Sequence, residues 1–224
     1  LSHDLVEGCY ARAGLLNDVQ LYEEYPPLYS ADVSRRHRWI RGDWQIARWL
    51  LPGVPGFGGR RQRNPLSALS RWKIFDNLRR SLVPSALTML LLLSWTLLSP
   101  LWLWTLALIG MILIPPWIAS TLHLFQKPGD ILLRQHLAAA ARSACRHSAQ
   151  AAFTLACLPY EAFFSLDAIL RSAMRLVTHK RLLEWNPSND SDRQRRTDLA
   201  ASCRTMWIGP VIAIVTVIYL ALSR

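Results

Sequence analysis

The sequence predicts a mainly α-helical membrane protein whose first part is the end of a mixed α/β domain. Of the 224 residues, 51% are apolar, although the formal net charge is +11. The apolar residues form long uncharged runs with basic segments between them, which is typical of chains that lie in lipid and face anionic headgroups. A basic nucleic-acid-binding domain is disfavoured because it would not contain such runs. The part before the first long run has the mixed composition of a globular domain.

Residues 1–64 are assigned to the C-terminal part of this cytoplasmic domain. Leu5 and Cys9 have the spacing of one helical face, and Gly14 is a suitable C-terminal stop for that helix. Alternating apolar residues then predict a short strand over residues 18–26, which ends at two prolines.

The next predicted helix covers residues 31–51, with Ser30 as its N-cap. Glycines and prolines predict a loop over residues 52–64. In residues 65–81, apolar and basic side chains recur with the spacing of an amphipathic helix. Such a helix lies in a membrane interface. The alternative is an ordinary surface helix of the domain.

A transmembrane hairpin is predicted over residues 82–125. Residues 82–99 and 101–125 are almost uncharged, and each run is long enough to cross a hydrocarbon core of about 30 Å. Only a tight turn separates them, so the two helices should be antiparallel. Pro115 and Pro116 should kink the second helix.

Residues 126–206 are assigned to a basic cytoplasmic or interfacial helical segment. Within it, residues 151–170 are apolar but contain Glu161, Asp167 and a helix-breaking proline. If this stretch crossed the membrane, a strongly basic flank would be exported, which the positive-inside tendency opposes. We therefore expect it to be interfacial or buried in protein. Residues 207–224 form a third predicted transmembrane helix.

The stretch SADVSRRHRWIRGDWQ, residues 30–45, combines guanidinium groups with indole rings. The residues concerned are Arg35, Arg36, Arg38, Arg41, Trp39 and Trp44. Arginine binds phosphate oxygens through paired hydrogen bonds, and an indole face stacks on the C–H-rich side of a sugar. The stretch therefore suits a sugar diphosphate. On composition alone, a basic membrane anchor with interfacial aromatic residues is the favoured interpretation.

The triplet Ser2-His3-Asp4 is the second candidate site. A carboxylate beside an imidazole at the start of a helix can act as a general base. The simpler interpretation is that Ser2 or Asp4 caps the helix. The four cysteines lack the CxxC spacing of a zinc site, and no metal site is predicted from these residues.

The order of the motifs is similar to that of a known enzyme group. The chain contains, in this order, SHD, YEE with a proline two positions further on, RRxRW, an amphipathic helix and a hairpin. This order resembles membrane-embedded processive β-glycosyltransferases of the cellulose-synthase type, in which an acidic TED triplet precedes a QxxRW helix. The strings SRRHRWIRGDWQ and SRWKIFDNLRRSLVP resemble, more specifically, the glycosyltransferase region of bacterial cyclic β-1,2-glucan synthases. The linear-glucan glucosyltransferases of the osmoregulated periplasmic glucan pathway share SHD and YEE-P and are an alternative.

The resemblance implies a GT-A type glycosyltransferase fold and a role for each site residue. Asp4 matches the acidic base, Arg38 matches the arginine that holds the diphosphate, and Trp39 matches the tryptophan that stacks on the acceptor sugar. Arg35 replaces the glutamine of QxxRW and adds a cation near the nucleotide. His3 replaces the glutamate of the acidic triplet, and a protonated His3 would favour an ionised Asp4.

The resemblance also implies substrates, a cofactor and a location. The substrates are UDP-glucose and the growing glucan chain, and the reaction inverts the anomeric configuration. The protein is expected in the bacterial inner membrane, with its catalytic part at the cytoplasmic face near anionic headgroups, and nucleic acid is not expected as a partner. A divalent cation, Mg²⁺ or Mn²⁺, is expected in the full enzyme with its ligands upstream. The chain begins with Leu1 and is expected to be a fragment that is inactive by itself.

A non-catalytic polytopic membrane protein, such as a transporter component, is the alternative from another class. A transporter should carry ionisable residues in its membrane helices, where they face the transport pathway. The predicted spans 82–99, 101–125 and 207–223 contain no Asp, Glu, Lys or Arg. This composition favours the enzyme.

Overall fold

The computed structural model describes residues 3–11, 14, 16–22, 28–56, 60–125, 132–178 and 203–223. Most of these residues are helical, which confirms the mainly α part of the predicted fold class. The elements in chain order are α1 (Asp4–Ala11), α2 (Tyr29–Gln45), β1 (Gly53–Pro55), β2 (Arg61–Arg63), α3 (Ala68–Thr96), α4 (Leu101–Phe125), α5 (Leu133–Thr178) and α6 (Ile208–Ser223). The chain forms two compact units, of which the first contains Leu1–Val83 and Phe163–Trp207 and the second contains Pro84–Ala162 and Ile208–Arg224.

The core of the first unit attaches α1 to the end of α2 and the beginning of α3. Its buried side chains are Ile46, Leu66, Ile74 and Leu78. Leu5, Val6 and Cys9 of α1 pack against this cluster, so the face predicted from the spacing of Leu5 and Cys9 is the one that packs. Complete burial of an isoleucine such as Ile74 stabilises the fold by about 1.5–3 kcal/mol.

Helix α2 starts and ends earlier than its sequence pattern predicts. Its N-cap is Leu28, without a side-chain hydrogen bond, so the prediction that Ser30 caps this helix is wrong. The helix ends because Ile46 leaves the helical conformation and is only 1% exposed. The chain then continues as a 3₁₀ turn, Ala47–Leu50, in place of the predicted last helical turn.

The predicted loop over residues 52–64 contains a small β-hairpin. Strands β1 and β2 pair antiparallel with Val54 opposite Gln62. Gly56 follows β1 at a point where a Cβ atom would come within 2.5 Å of the Gln62 side chain, which would then have to move aside. Asn64 follows β2 and donates hydrogen bonds to the carbonyl oxygens of Trp49 and Leu51, at 2.6 and 2.8 Å. This side chain fastens the hairpin to the end of the 3₁₀ turn.

The strand predicted over residues 18–26 is not formed in the part that the structure describes. Residues 18–22 have no strand assignment, and residues 23–26 lie outside the described residues. A strand needs backbone partners, and β1 and β2 pair with each other instead. Alternation of apolar residues was therefore insufficient to predict this element. The GT-A type remnant expected for residues 1–64 stays a prediction.

Helices α3 and α5 each combine two segments that the sequence divides. Helix α3 runs without a break from the predicted interface helix into the first predicted span, with Pro84 inside it. Helix α5 joins the basic segment to the apolar stretch at residues 151–170, with Pro159 inside it. The stretch at residues 151–170 is thus helical throughout, although proline disfavours the interior of a helix. A proline removes one helical hydrogen bond, and a long helix with tertiary packing on both sides of it can tolerate that loss.

Within the second unit, hydroxyl groups of α3 contact the backbone of α5 close to these prolines. Ser85 Oγ donates to the carbonyl oxygen of Ala162, and Thr88 Oγ1 donates to that of Leu158, both at 3.4 Å. Small hydroxyl side chains of this kind join helices closely in an apolar environment.

Two helices of the described chain are long and apolar enough to cross a membrane. They are Leu101–Leu122 within α4 and Leu133–Thr178, the whole of α5. The apolar helix Ile208–Leu222 is shorter. The predicted span 82–99 is not one of these two helices, and α3 ends at Thr96; its crossing of the membrane stays a prediction. The interfacial or buried location expected for residues 151–170 stays a prediction, since the length of α5 also permits a crossing.

Candidate functional site

His3 caps helix α1 and leaves the Asp4 carboxylate in solvent. The His3 Nδ1 atom accepts a hydrogen bond from the backbone N–H of Leu5 at 3.3 Å, and its carbonyl oxygen accepts one from Glu7 at 2.9 Å. Asp4 is the first residue of the helix and is exposed. The capping role considered for Asp4 is thus taken by its neighbour, and Ser2 lies outside the described residues.

The imidazole of His3 lies against the last turn of α2. Its Nε2 atom is 3.5 Å from Asp43 Oδ1. Its ring passes over Gly42, where a Cβ atom would be 3.2 Å from Nε2. Because Nδ1 accepts the bond from Leu5, the proton of the neutral ring is on Nε2, the ring atom that lies 3.5 Å from Asp43 Oδ1. The SHD triplet and the RRxRW helix, separated by more than thirty residues in sequence, therefore meet in the first unit.

The contact is made by the neighbours of the expected catalytic residues. Gly42 and Asp43 follow Arg38 and Trp39 by one helical turn, and His3 immediately precedes Asp4. Asp4 is itself anchored on both sides, because His3 rests on α2 while Leu5 and Val6 pack into the core.

The basic residues of α2 are organised around one carboxylate. Asp32 Oδ1 is 2.9 Å from an Arg35 guanidinium nitrogen, and Asp32 Oδ2 is 3.0 Å from Arg36 Nε. The Arg35 guanidinium carbon also lies 4.9 Å from the centre of the Trp39 ring, and Trp39 is 59% exposed. Arg35 therefore supports one face of an exposed indole, and the nucleotide contact expected for it stays a prediction. Arg38, the residue before Trp39, is half-buried.

These residues form an open surface. The two best-formed pockets in the described chain, about 600 and 440 Å³ in volume, are lined by residues of α3, α4, α6 and the turn between α3 and α4. Neither pocket includes a residue of α1 or α2. A sugar nucleotide that contacts Asp4, Arg38 and Trp39 therefore lies on the surface of the described part of the chain.

Helix α2 also contacts the end of α5, through side chains whose sequence positions gave no sign that they meet. His37 Nε2 is 3.0 Å from Asp167 Oδ2, and Arg171 Nε is 2.7 Å from the same oxygen. Ser172 Oγ donates to the carbonyl oxygen of Arg41 at 3.2 Å. An acidic residue in an apolar stretch needs a charged or hydrogen-bonding partner, so Asp167 alone was a signal for such a contact, although the sequence did not identify His37 as its partner.

Burial lowers the pKa of His37 below its usual value of 6.5, although the hydrogen bond and negative charge of Asp167 oppose this change. Arg41 and Arg171 lower the pKa further. The unfolded chain therefore binds a proton at a higher pH than the folded chain does. Stability contributed by this contact is present above pH 6.5 and is lost as the pH falls through the lower pKa of the folded state.

We accordingly expect the contact between α2 and the end of α5 to open more often at pH 5 than at pH 7.5 in the complete protein. Hydrogen–deuterium exchange of the α2 amides, corrected for the intrinsic effect of pH, measures this opening. A His37→Gln variant should lose most of the difference between the two pH values. An equal pH dependence in the wild type and in this variant would exclude His37 as the responsible group.

Among the described residues, no group of three or more His, Cys, Asp or Glu side chains could hold a metal ion. The divalent cation that the resemblance implies stays a prediction, and no step below depends on it.

The comparison with known proteins agrees with the resemblance seen in the motifs. No protein-family model matches the chain. The cyclic beta-(1,2)-glucan synthase NdvB of Rhizobium meliloti (strain 1021) is 34% identical to it over 226 aligned residues. The alignment covers 100% of this chain and 8% of that protein, so the chain spans a small part of its relative. The similarity to a cyclic β-1,2-glucan synthase, predicted chiefly from the strings SRRHRWIRGDWQ and SRWKIFDNLRRSLVP, is confirmed.

Proposed function

We propose, on the premise of this similarity, that the chain is part of an inverting membrane glucosyltransferase that uses UDP-glucose to build β-1,2-glucan. The observation that carries the proposal is the contact of His3 with Gly42 and Asp43. It brings the segment with the expected base to the helix with the expected diphosphate and sugar contacts. A basic anchor for the membrane surface would not require this contact.

Asp4 acts as the general base in this proposal. Its carboxylate accepts the proton of an acceptor hydroxyl while that oxygen forms a bond to the anomeric carbon of glucose. The bond from this carbon to the diphosphate breaks, and UDP leaves with the electron pair. One such displacement converts the α-linked donor into a β-linked product. The exposure of Asp4 and its anchoring by His3 and Leu5 support this role, because the carboxylate is accessible and its backbone is fixed.

Arg38 holds the diphosphate and stabilises the negative charge that develops on the leaving UDP. Trp39 stacks on the acceptor sugar through the indole face that Arg35 does not cover. In this arrangement Arg35 keeps the indole in place, and Asp32 compensates its charge. A divalent cation, when bound elsewhere in the full enzyme, supplies further positive charge to the diphosphate.

The first turns of α3 support a position of this site at the inner face of the bacterial cytoplasmic membrane. Leu69, Trp72 and Phe75 expose 65%, 58% and 43% of their surface, although all three are large and apolar. Arg79 and Arg80 are exposed further along the same helix. Apolar side chains for the acyl boundary together with guanidinium groups for anionic headgroups favour an interfacial position.

Replacing Trp39 with alanine tests the acceptor contact. In the complete protein with radiolabelled UDP-glucose, we expect the glucan concentration that gives the half-maximal rate to rise about 2- to 13-fold, the equivalent of about 0.5–1.5 kcal/mol of stacking. Trp207→Ala is the matched control, because Trp207 is 53% exposed and has no proposed contact with sugar. If both variants kept the acceptor dependence of the wild type, Trp39 would have no part in acceptor binding. If the complete wild-type protein transferred no glucose from UDP-glucose, the proposed function itself would be wrong.

A further inference from the structure

Asp43 lies where three helices of the first unit meet. Its Oδ1 atom faces His3 of α1 at 3.5 Å and accepts a hydrogen bond from Asn77 Nδ2 of α3 at 3.1 Å. The side chains of His3 and Asp43 are only 16% and 15% exposed, in contrast to the exposed Asp4. A shielded carboxylate that joins two helices to its own restrains all three.

The residues next to Asp43 also help to hold the imidazole of His3 in one position. Trp44 Nε1 donates to Ser81 Oγ at 2.9 Å, so α2 and α3 are joined at two successive residues of α2. Gly42 leaves room for the imidazole, since a methyl group there would be 3.2 and 3.3 Å from two atoms of the ring. His3 is therefore fixed by Leu5 at Nδ1, by Asp43 at Nε2 and by the backbone of Gly42 across its face.

We infer that Asp43, which accepts a hydrogen bond from Asn77, is a positioning residue for the transfer reaction. It fixes His3, and through His3 it fixes the direction of the adjacent Asp4 carboxylate. This inference rests on the proposed function, because it assumes that Asp4 accepts the acceptor proton. A helix cap alone needs only a hydrogen bond to the backbone, which serine or asparagine provides. The imidazole makes that bond and also reaches α2, which a shorter cap could not do.

A positioning role predicts a specific kinetic effect. Neither Asp43 nor His3 is proposed to touch the diphosphate, so the KM for UDP-glucose should not change. The turnover number should fall, since a misplacement of about 1 Å at a reacting group can reduce the rate by about 10²-fold.

The test measures glucose transfer by the complete protein carrying Asp43→Ala, Asp43→Asn or Gly42→Ala. For Asp43→Ala we expect kcat to fall about 10- to 100-fold with the KM for UDP-glucose within about twofold of the wild type. Asparagine keeps an acceptor for the Nε2–H group, so Asp43→Asn should retain most of the activity that alanine loses. Gly42→Ala should also lower kcat, because it displaces the ring without removing a charge. Asp76→Asn is the control, since the Asp76 carboxylate bonds to Arg79 and Arg80 within its own helix.

The outcomes separate this inference from the proposed function when Asp4→Asn is measured alongside. If Asp4→Asn is inactive while Asp43→Ala keeps its kcat within twofold, Asp43 is not a positioning residue and the proposed function stands. If Asp4→Asn has wild-type activity, the proposed function is wrong. The inference is also wrong if a higher KM for UDP-glucose accounts for the whole loss of kcat/KM in Asp43→Ala. If Asp43→Ala does not fold, an unchanged kcat in Gly42→Ala overturns the inference.

Discussion

Asp4→Asn is expected to reduce glucose transfer from UDP-glucose by about 10²–10⁴-fold in the complete protein, the range that a general base contributes. The amide has nearly the shape of the carboxylate but cannot accept the acceptor proton. Binding of UDP-glucose should be preserved, because Asp4 contacts the acceptor hydroxyl and not the diphosphate. The measurement is the incorporation of radiolabelled glucose into glucan, together with equilibrium binding of the donor.

Glu7→Gln is the matched control for this substitution. Glu7 is another exposed acidic residue in the first turns of α1, so the variant loses the same charge on the same helix. It should keep the wild-type rate within about twofold, as expected for a surface substitution away from the chemistry. Equal losses in the two variants would mean that the charge of α1 matters and that Asp4 has no special role.

Arg38→Ala is expected to have the second largest effect, a fall in kcat/KM for UDP-glucose of about 10²–10³-fold. The guanidinium group is proposed to hold the diphosphate in the bound donor and to stabilise the departing UDP, so KM should rise and kcat should fall. Arg38→Lys should recover part of the loss, because the ammonium group keeps the charge but cannot form the paired hydrogen bonds.

Arg48→Ala controls for the loss of one positive charge near the same helix. Arg48 is exposed in the 3₁₀ turn that follows α2. Its removal should change kcat/KM by less than about twofold, since an exposed charge contributes little beyond general attraction. A similar decrease for Arg38 and Arg48 would support a basic membrane anchor, in which position along the surface is unimportant.

The helices of this protein were predictable where periodicity and composition determine them. The apolar face of α1 and the long apolar helix α4 follow directly from the sequence. The ends of α2 were not predictable, because its start has no capping side chain and its end depends on the burial of Ile46. The continuity of α5 through Pro159 depends on tertiary packing, which overrides the local preference of proline.

The motifs suggested candidate site residues, whose roles stay predictions, but they did not indicate the geometry of the site. The SHD and RRxRW motifs identified Asp4, Arg38 and Trp39, whereas local sequence gave no sign that His3 rests on Gly42 and Asp43. Such contacts depend on how helices pack, and single-sequence patterns do not encode that packing. The same limit explains why the contacts of Arg35 with Trp39 and Asp32 were not expected.

The position of the donor on the complete protein tests the central claim most directly. An electron cryo-microscopy structure of the Asp4→Asn variant with UDP-glucose would locate the substrate before transfer. We expect the anomeric carbon of glucose beside residue 4 and the diphosphate against Arg38, with Trp39 facing the acceptor side. A bound donor that contacts neither α1 nor α2 would contradict the account.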